Sequence, residues 1–118
     1  LRPAQPTLGS LVLAAKSGAT AFGDLPAGAY AELEPIARAI ESALSRFVDY
    51  AKINYLMLMM VDPNVHFHVI PRYAGTREWN GREFVDVGWP KMPDLAQAVT
   101  LPEEDKALLV ETLAAHFA

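Results

Sequence analysis

The sequence predicts an α+β domain: a mainly antiparallel sheet covered by one long packing helix and followed by a C-terminal helix. Apolar residues recur at the i, i+3, i+4, i+7 spacing of a helical stripe between about Pro26 and Val48. Two strand-like segments, 54–61 and 64–70, are joined by a link short enough for an antiparallel hairpin. A second apolar stripe marks a helix at the end of the chain.

Composition describes one small domain that spans residues 1–118, without repeats or low-complexity segments. With 52% hydrophobic residues, the chain can form a single, thin core. The net charge of −4 argues against a nucleic-acid partner, because binding the phosphate backbone needs clustered Lys and Arg. The absence of cysteine excludes disulfides, zinc thiolates and thiol nucleophiles.

The sequence gives no indication of a membrane partner. No apolar run reaches the roughly 20 residues that span a bilayer, and no signal-peptide pattern opens the chain. We therefore expect a soluble, cytoplasmic protein.

The first half of the chain is predicted to contain one short strand and the long helix. Residues 1–8 include two prolines and are predicted to be irregular, residues 10–14 form a strand, and residues 18–23 form a loop. Pro35 interrupts the helical stripe, so the helix either kinks there or begins near Glu34. The stripe consists of Leu33, Ile36, Ala37, Ile40, Leu44, Phe47 and Val48.

The second half is predicted to be mostly strands. Segment 54–61 is apolar almost throughout, as in a buried central strand, and Asp62-Pro63-Asn64 has turn chemistry. A second turn at 79–82 precedes a short strand at 84–87. The spacing of Thr100 and Glu103 fits a capping box at the start of the final helix. The apolar stripe of that helix consists of Leu109, Val110, Leu113 and Phe117.

Polar and apolar side chains alternate along the strand at 64–70. Because successive side chains of a strand point to opposite faces, Asn64, His66 and His68 share one face and the apolar residues share the other. Two of the three histidines in the chain lie in this row. The row is the predicted functional site.

Two histidines at positions i and i+2 admit three interpretations. Both can be structural residues without a catalytic role. They can share a divalent ion, which needs a further ligand, and the candidates are Asp62, Asp86 and His116. They can also act at phosphorus, because a neutral imidazole is a good nucleophile near neutral pH.

The sequence from Asn64 to Arg72 resembles the signature of the histidine triad (HIT) superfamily, in which three histidines alternate with apolar residues and Pro-Arg often follows. His66 and His68 match the middle and last triad positions. Asn64 stands where the first triad histidine normally lies. The Gly- and Gln-containing loop that commonly precedes the motif is replaced by Asp62-Pro63.

The resemblance implies a HIT-like fold and a nucleotide phosphohydrolase or nucleotidyl transferase that forms a covalent nucleotidyl-histidine. It implies that His66 is the nucleophile and that His68 donates to a phosphoryl oxygen. Asn64, Ser10 and Arg72 are the predicted substrate-binding residues. The implied substrates are dinucleoside polyphosphates, such as diadenosine polyphosphates, or nucleoside phosphoramidates. The alternative is a non-catalytic nucleotide-binding or dimeric scaffold protein with a degenerate triad.

No cofactor is required by the sequence, and a divalent ion such as Mg²⁺ bound with the substrate is compatible with it. We expect a homodimer, because the chain has more apolar side chains than a thin sheet and two helices can cover. The predicted contact surface is the helix through Ile36, Ile40 and Leu44, together with the sheet edge. The alternative is a monomer whose 79–89 segment covers the same area.

Overall fold

The structure, a computed structural model, describes residues 1–117. Within them a short 3-10 turn at Phe22–Asp24 precedes the first helix. The elements in chain order are β1 (Ala4–Gln5), β2 (Leu11–Ala14), α1 (Ala27–Val48), β3 (Lys52–Leu56), β4 (His66–Arg72), β5 (Thr76–Trp79), β6 (Arg82–Val85), β7 (Val99–Thr100) and α2 (Glu103–Phe117). The predicted α+β class, with antiparallel strands, a long helix and a C-terminal helix, is confirmed.

The central sheet has three antiparallel strands in the order β2-β4-β3. Two smaller antiparallel pairs, β1 with β7 and β5 with β6, accompany it. Because β4 has a hydrogen-bonded neighbour on each side, the strand that carries the histidines is held from both edges. Along β4, Val69 belongs to the apolar core, so His66 and His68 lie on the opposite face of the sheet.

The predicted pairing of the two hairpin segments is confirmed, but the predicted length and position of the first strand are wrong. That strand ends at Leu56 and lies at the sheet edge, whereas the sequence suggested a central strand over 54–61. Residues 57–65 form the connection, in which Met59 has a left-handed φ of 45° and the side chains of Met60 and Val61 are exposed. Apolar character alone does not distinguish a buried strand from an exposed connection.

Helix α1 begins at Ala27 and continues through Pro35, so the alternative start near Glu34 is wrong. A proline inside a helix removes one backbone hydrogen bond, and in α1 the half that follows Pro35 is the half that packs into the core. The buried positions of α1 are Ile40, Ala43, Leu44 and Val48, which all follow the proline. No helix within residues 1–117 is both long enough and apolar enough to cross a bilayer.

One apolar core lies between the helices and the sheet. It contains Leu44 of α1, Val69 of β4 and Leu109 of α2, each with no exposed surface. Ile40 is 5% exposed and belongs to the same core. The predicted dimer surface through Ile40 and Leu44 is therefore wrong for these two residues, because they pack within one chain. Ile36, at 38% exposure, remains at the surface.

A buried ion pair joins the end of β4 to the segment after β6. Arg72 donates from Nε to Asp86 Oδ2 at 2.7 Å and from Nη2 to Asp86 Oδ1 at 3.1 Å. Arg72 also donates to Asn54 Oδ1 on β3 and to the carbonyl of Lys91. Asp86 accepts a further bond from the backbone N–H of Tyr73 at 3.2 Å. Each nitrogen of the Arg72 guanidinium and each oxygen of the Asp86 carboxylate has a hydrogen-bond partner. These bonds offset the cost of removing the two charges from water.

Removing one partner of this pair should destabilise the fold strongly. We expect Asp86→Ala to lower the free energy of unfolding by about 3–5 kcal/mol, because it leaves a buried guanidinium without its counter-charge. Urea unfolding followed by circular dichroism measures the change. The matched control is Glu34→Ala, which breaks the solvent-exposed Arg38–Glu34 pair and should change stability little. Equal stability losses in the two variants would contradict this assignment.

Candidate functional site

The two imidazoles of β4 form a compact pair. Their ring centroids are 5.0 Å apart and the ring planes are nearly perpendicular, at 78°. On β2, Ala14 stands opposite His66 and Val12 opposite His68 in the antiparallel register, so only small side chains flank the rings on that side. His66 is 7% exposed, whereas His68 is half-buried.

The orientation of His66 is fixed by the backbone of the residue at the first triad position. His66 Nδ1 lies 2.6 Å from the carbonyl oxygen of Asn64. A carbonyl only accepts hydrogen bonds, so Nδ1 carries the proton and Nε2 carries the lone pair in the neutral ring. The Asn64 side chain is exposed, and its contact with His66 is made by the main chain.

The Asn64 carbonyl is itself held in place by a well-bonded segment. The N–H of Asn64 donates to Asp62 Oδ1 at 3.0 Å, which closes a local turn. Val65 N–H donates to the carbonyl of Ala19, and the carbonyl of Val65 accepts from Ala15, both at 3.0 Å. The support of His66 therefore needs the local backbone geometry and no imidazole at position 64.

His68 is held in the other tautomer by an arginine from the start of the chain. Arg2 Nη1 lies 3.4 Å from His68 Nδ1. A guanidinium has no acceptor, so Nδ1 of His68 accepts and the proton of the neutral ring is on Nε2. Burial, then the positive charge of Arg2 and then His66 lower the pKa of His68 below its ordinary value of 6.5. These effects all favour the neutral form of the His68 ring.

The Nε2 atoms of the two rings therefore differ in their chemistry. His66 offers a lone pair on Nε2, as a nucleophile requires, and His68 offers an N–H on Nε2, as a hydrogen-bond donor requires. The arrangement is suited to attack on a phosphorus atom with simultaneous hydrogen bonding to one of its oxygens.

The structure contradicts two of the predicted substrate-binding residues. Ser10 is fully buried, and its hydroxyl donates to the carbonyl of Thr7 at 2.8 Å. Arg72 is 3% exposed and is committed to Asp86 and Asn54. Neither side chain is accessible to a substrate. In both cases the sequence shows a polar residue, but not the buried partner that engages it.

Arg2 is the residue of this site that the sequence did not indicate. It lies in the segment predicted to be irregular, 66 positions from His68 along the chain. Pairing of β1 with β7 and a hydrogen bond from Arg2 N–H to the carbonyl of Ser10 place it against the sheet. No local spacing or periodicity reports a contact of this separation.

Two of the three candidate metal ligands, Asp86 and His116, have other partners in the structure. Asp86 is bound to Arg72, and His116 packs on Phe47 with ring centroids 5.2 Å apart. Across residues 1–117, no group of three or more His, Asp and Glu side chains could hold a metal ion.

A separate apolar cavity of about 450 Å³ lies on the other face of the sheet. Val65 and Phe67 of the histidine strand line it together with residues of α1, and Phe22 and Tyr30 form an edge-to-face aromatic pair beside it. Because strand residues alternate, this cavity is not part of the imidazole site.

Comparison with known proteins gives matches among solved structures. No family model and no curated protein matches the sequence. A histidine triad protein from Marinobacter aquaeolei VT8 is 26% identical, with 92% of this chain and 73% of that chain aligned and a TM-score of 0.64. A histidine triad protein from Bradyrhizobium japonicum is 20% identical, with 100% and 87% aligned and a TM-score of 0.66. A hypothetical histidine triad nucleotide-binding protein from Sulfolobus tokodaii is 17% identical, with 99% and 74% aligned and a TM-score of 0.68.

The chain has the histidine triad fold. The HIT-like fold that was expected from the resemblance of residues 64–72 to the HIT signature is therefore confirmed. The HIT strand is β4, at the centre of the sheet, with His66 and His68 on one face.

The two tautomers can be observed directly. We expect ¹⁵N chemical shifts of the ring nitrogens, near neutral pH, to show His66 protonated at Nδ1 and His68 protonated at Nε2, because their Nδ1 partners are an acceptor and a donor respectively. His116, whose Nδ1 lies 2.8 Å from the carbonyl of Thr112, is an internal reference for the Nδ1-protonated form. Identical tautomers at His66 and His68 would contradict the described geometry.

Proposed function

We propose that this protein binds nucleotides and cleaves or transfers a nucleotidyl group through His66. The observation that carries the proposal is the hydrogen bond from His66 Nδ1 to the Asn64 carbonyl, which leaves Nε2 as the free nucleophilic atom. The HIT fold of the chain and the nucleotide-binding description of the Sulfolobus tokodaii protein support the same assignment. The proposed substrates are dinucleoside polyphosphates or nucleoside phosphoramidates.

The first step forms a covalent intermediate. His66 Nε2 attacks the phosphorus of the nucleotidyl group, an N–P bond forms, and the P–O or P–N bond to the leaving group breaks with its electron pair. A phosphate departs as the anion, and an amine departs with a proton taken from solvent. The imidazole becomes positively charged, and the Asn64 carbonyl stabilises that charge by accepting from Nδ1–H. His68 donates from Nε2–H to a non-bridging oxygen, where negative charge is concentrated.

The second step releases the nucleotide. Water attacks the same phosphorus, the N–P bond breaks, and its electron pair returns to His66 Nε2. The proton lost by water passes to solvent. The products are a nucleoside monophosphate and the free enzyme, and a transferase would place another hydroxyl or amine where water attacks.

A nucleotide-binding scaffold without catalysis is the second candidate function. One observation favours it: residues 57–61, which follow β3, expose apolar side chains such as Met60 and Val61 rather than phosphate donors. A scaffold binds the nucleotide reversibly. An enzyme forms an acid-labile nucleotidyl adduct, which intact-mass spectrometry of an acid-free quench detects.

Substitution of each histidine separates their roles. We expect His66→Ala to reduce turnover of diadenosine polyphosphate by about 10³-fold or more and to abolish the adduct, because the nucleophile is lost. We expect His68→Ala to reduce turnover by roughly 10²-fold, because it removes one transition-state donor.

The matched control is His116→Ala, whose ring packs on Phe47 in α2 and lies outside the site. Its turnover should equal that of the native protein. A His66→Ala protein that is folded and fully active would refute the covalent mechanism.

We further propose a homodimer that forms at the edge of β3. On the side away from β4, this strand has no partner strand within the described residues, and an unpaired edge can add a strand from another chain. The connection that follows exposes 84% of Met60 and all of Val61. An exposed apolar segment next to an open edge is typical of an interface.

Light scattering tests this assembly. We expect a mass near twice the 12.9 kDa of the chain at micromolar concentration. Met60→Lys should shift the protein toward the monomer, because it places a charge in the interface. Met92→Lys is the control, since Met92 is similarly exposed, at 82%, in the segment after β6. A native protein that scatters as a monomer would exclude the dimer.

A further inference from the structure

Arg2 differs from the other arginines in the kind of partner it has. Each of the other five donates to at least one oxygen of the protein: Arg38 to Glu34, Arg46 to Ser42, Arg72 to Asp86, Arg77 to the carbonyl of Val48, and Arg82 to Asp105. The Arg2 guanidinium contacts the ring nitrogen of His68. Within residues 1–117, it makes no salt bridge with a carboxylate.

The position of Arg2 is set by the main chain. Its N–H donates to the carbonyl of Ser10 at 3.0 Å, and its carbonyl accepts from Gln5 Nε2 at 2.6 Å. Gln5 is buried and also donates to the Ser10 carbonyl. The guanidinium is therefore presented to the histidine face from a fixed backbone.

A half-buried cation without a counter-ion is unfavourable in the free protein. Burial lowers the pKa of Arg2, which expresses the cost of withdrawing its charge from water. The same charge acts on His68 and lowers the pKa of its ring. An anion bound beside Arg2 and the imidazoles would relieve both effects, because it supplies the missing negative charge.

We propose that Arg2 binds the phosphate oxygens of the substrate in this site and, through Nδ1 of His68, holds that ring as the Nε2–H donor. This inference rests on the proposed function and names the anion-binding group of the same site. A guanidinium has five N–H donors in one plane, so it can contact His68 and still present donors to a phosphate. Arg2 would then supply the cationic contact that the sequence suggested for Arg72.

The first role of Arg2 is tested by nucleotide binding. We expect Arg2→Met to weaken the affinity for AMP by roughly 10- to 100-fold, because it retains an apolar stem and removes charge-assisted hydrogen bonds. Arg2→Lys should recover part of the loss, since it restores the charge without the planar fork. Affinity for adenosine, which has no phosphate, should be unchanged in both variants. Isothermal titration calorimetry measures these constants.

The second role is tested at the His68 ring. In Arg2→Met, NMR titration should show a higher His68 pKa than in the native protein, because removal of a neighbouring positive charge favours the protonated ring. A purely structural arginine that only covers the sheet would not change AMP affinity relative to adenosine affinity.

The matched control is Arg38→Met, which removes the same charge from the exposed surface of α1. It should bind AMP as the native protein does. If Arg2→Met binds AMP with native affinity, or if the native protein does not bind AMP, the inference is overturned. If the methionine variant does not fold, Arg2→Gln provides the same comparison.

The outcomes separate this inference from the proposed function. Loss of AMP affinity in Arg2→Met, combined with no adduct and no turnover in the native protein, supports the Arg2 site and refutes the enzyme. Native AMP affinity in Arg2→Met, combined with an adduct on His66, overturns the Arg2 site and leaves the enzyme in place.

Discussion

The buried ion pair between Arg72 and Asp86 connects the parts of the molecule on which the site depends. Asp86 also accepts from the N–H of Tyr73, and the Tyr73 hydroxyl donates to the carbonyl of Phe84 at 3.0 Å. The same hydroxyl accepts from the N–H of Leu8 at 3.0 Å. One continuous network therefore runs from the end of the histidine strand to the N-terminal segment that carries Arg2. Because its members are buried, the network fixes the position of the N-terminal segment relative to β4.

The site shows how a main-chain group can keep a function when a side chain changes. Proteins with three histidines in the motif have an imidazole where this chain has Asn64, yet the contact that orients His66 comes from the carbonyl of residue 64. Any residue at that position supplies this carbonyl, provided that the turn at Asp62 and the pairing of Val65 keep the backbone in place. The orientation of the His66 ring is thus determined by the fold more than by the side chain at position 64.

Sequence reasoning succeeded where the determinants are local. The alternation at 64–70 predicted the strand and its two faces, and the helical stripe around Ile40 and Leu44 predicted α1. It failed where the determinants are contacts that no periodicity indicates. Ser10 is buried through hydrogen bonds to Thr7 and Gln5 within one irregular turn, and the role of Arg72 depends on Asp86. The apolar segment after Leu56 has the composition of a strand, and that composition does not indicate that it is exposed.

The pairing of β1 with β7 has a consequence for how the protein becomes functional during folding. Ala4 pairs with Thr100, so the strand next to Arg2 forms only when the two ends of the domain meet. Closing so long a loop is entropically costly and is slow compared with local helix and hairpin formation. His66 acquires its orientation from Asn64 and from earlier residues that bond to Val65, whereas His68 acquires its partner Arg2 from the N-terminal segment next to β1. During synthesis on the ribosome, the orientation of His66 can therefore be set before the domain is complete, and that of Arg2 only after the last strand has emerged.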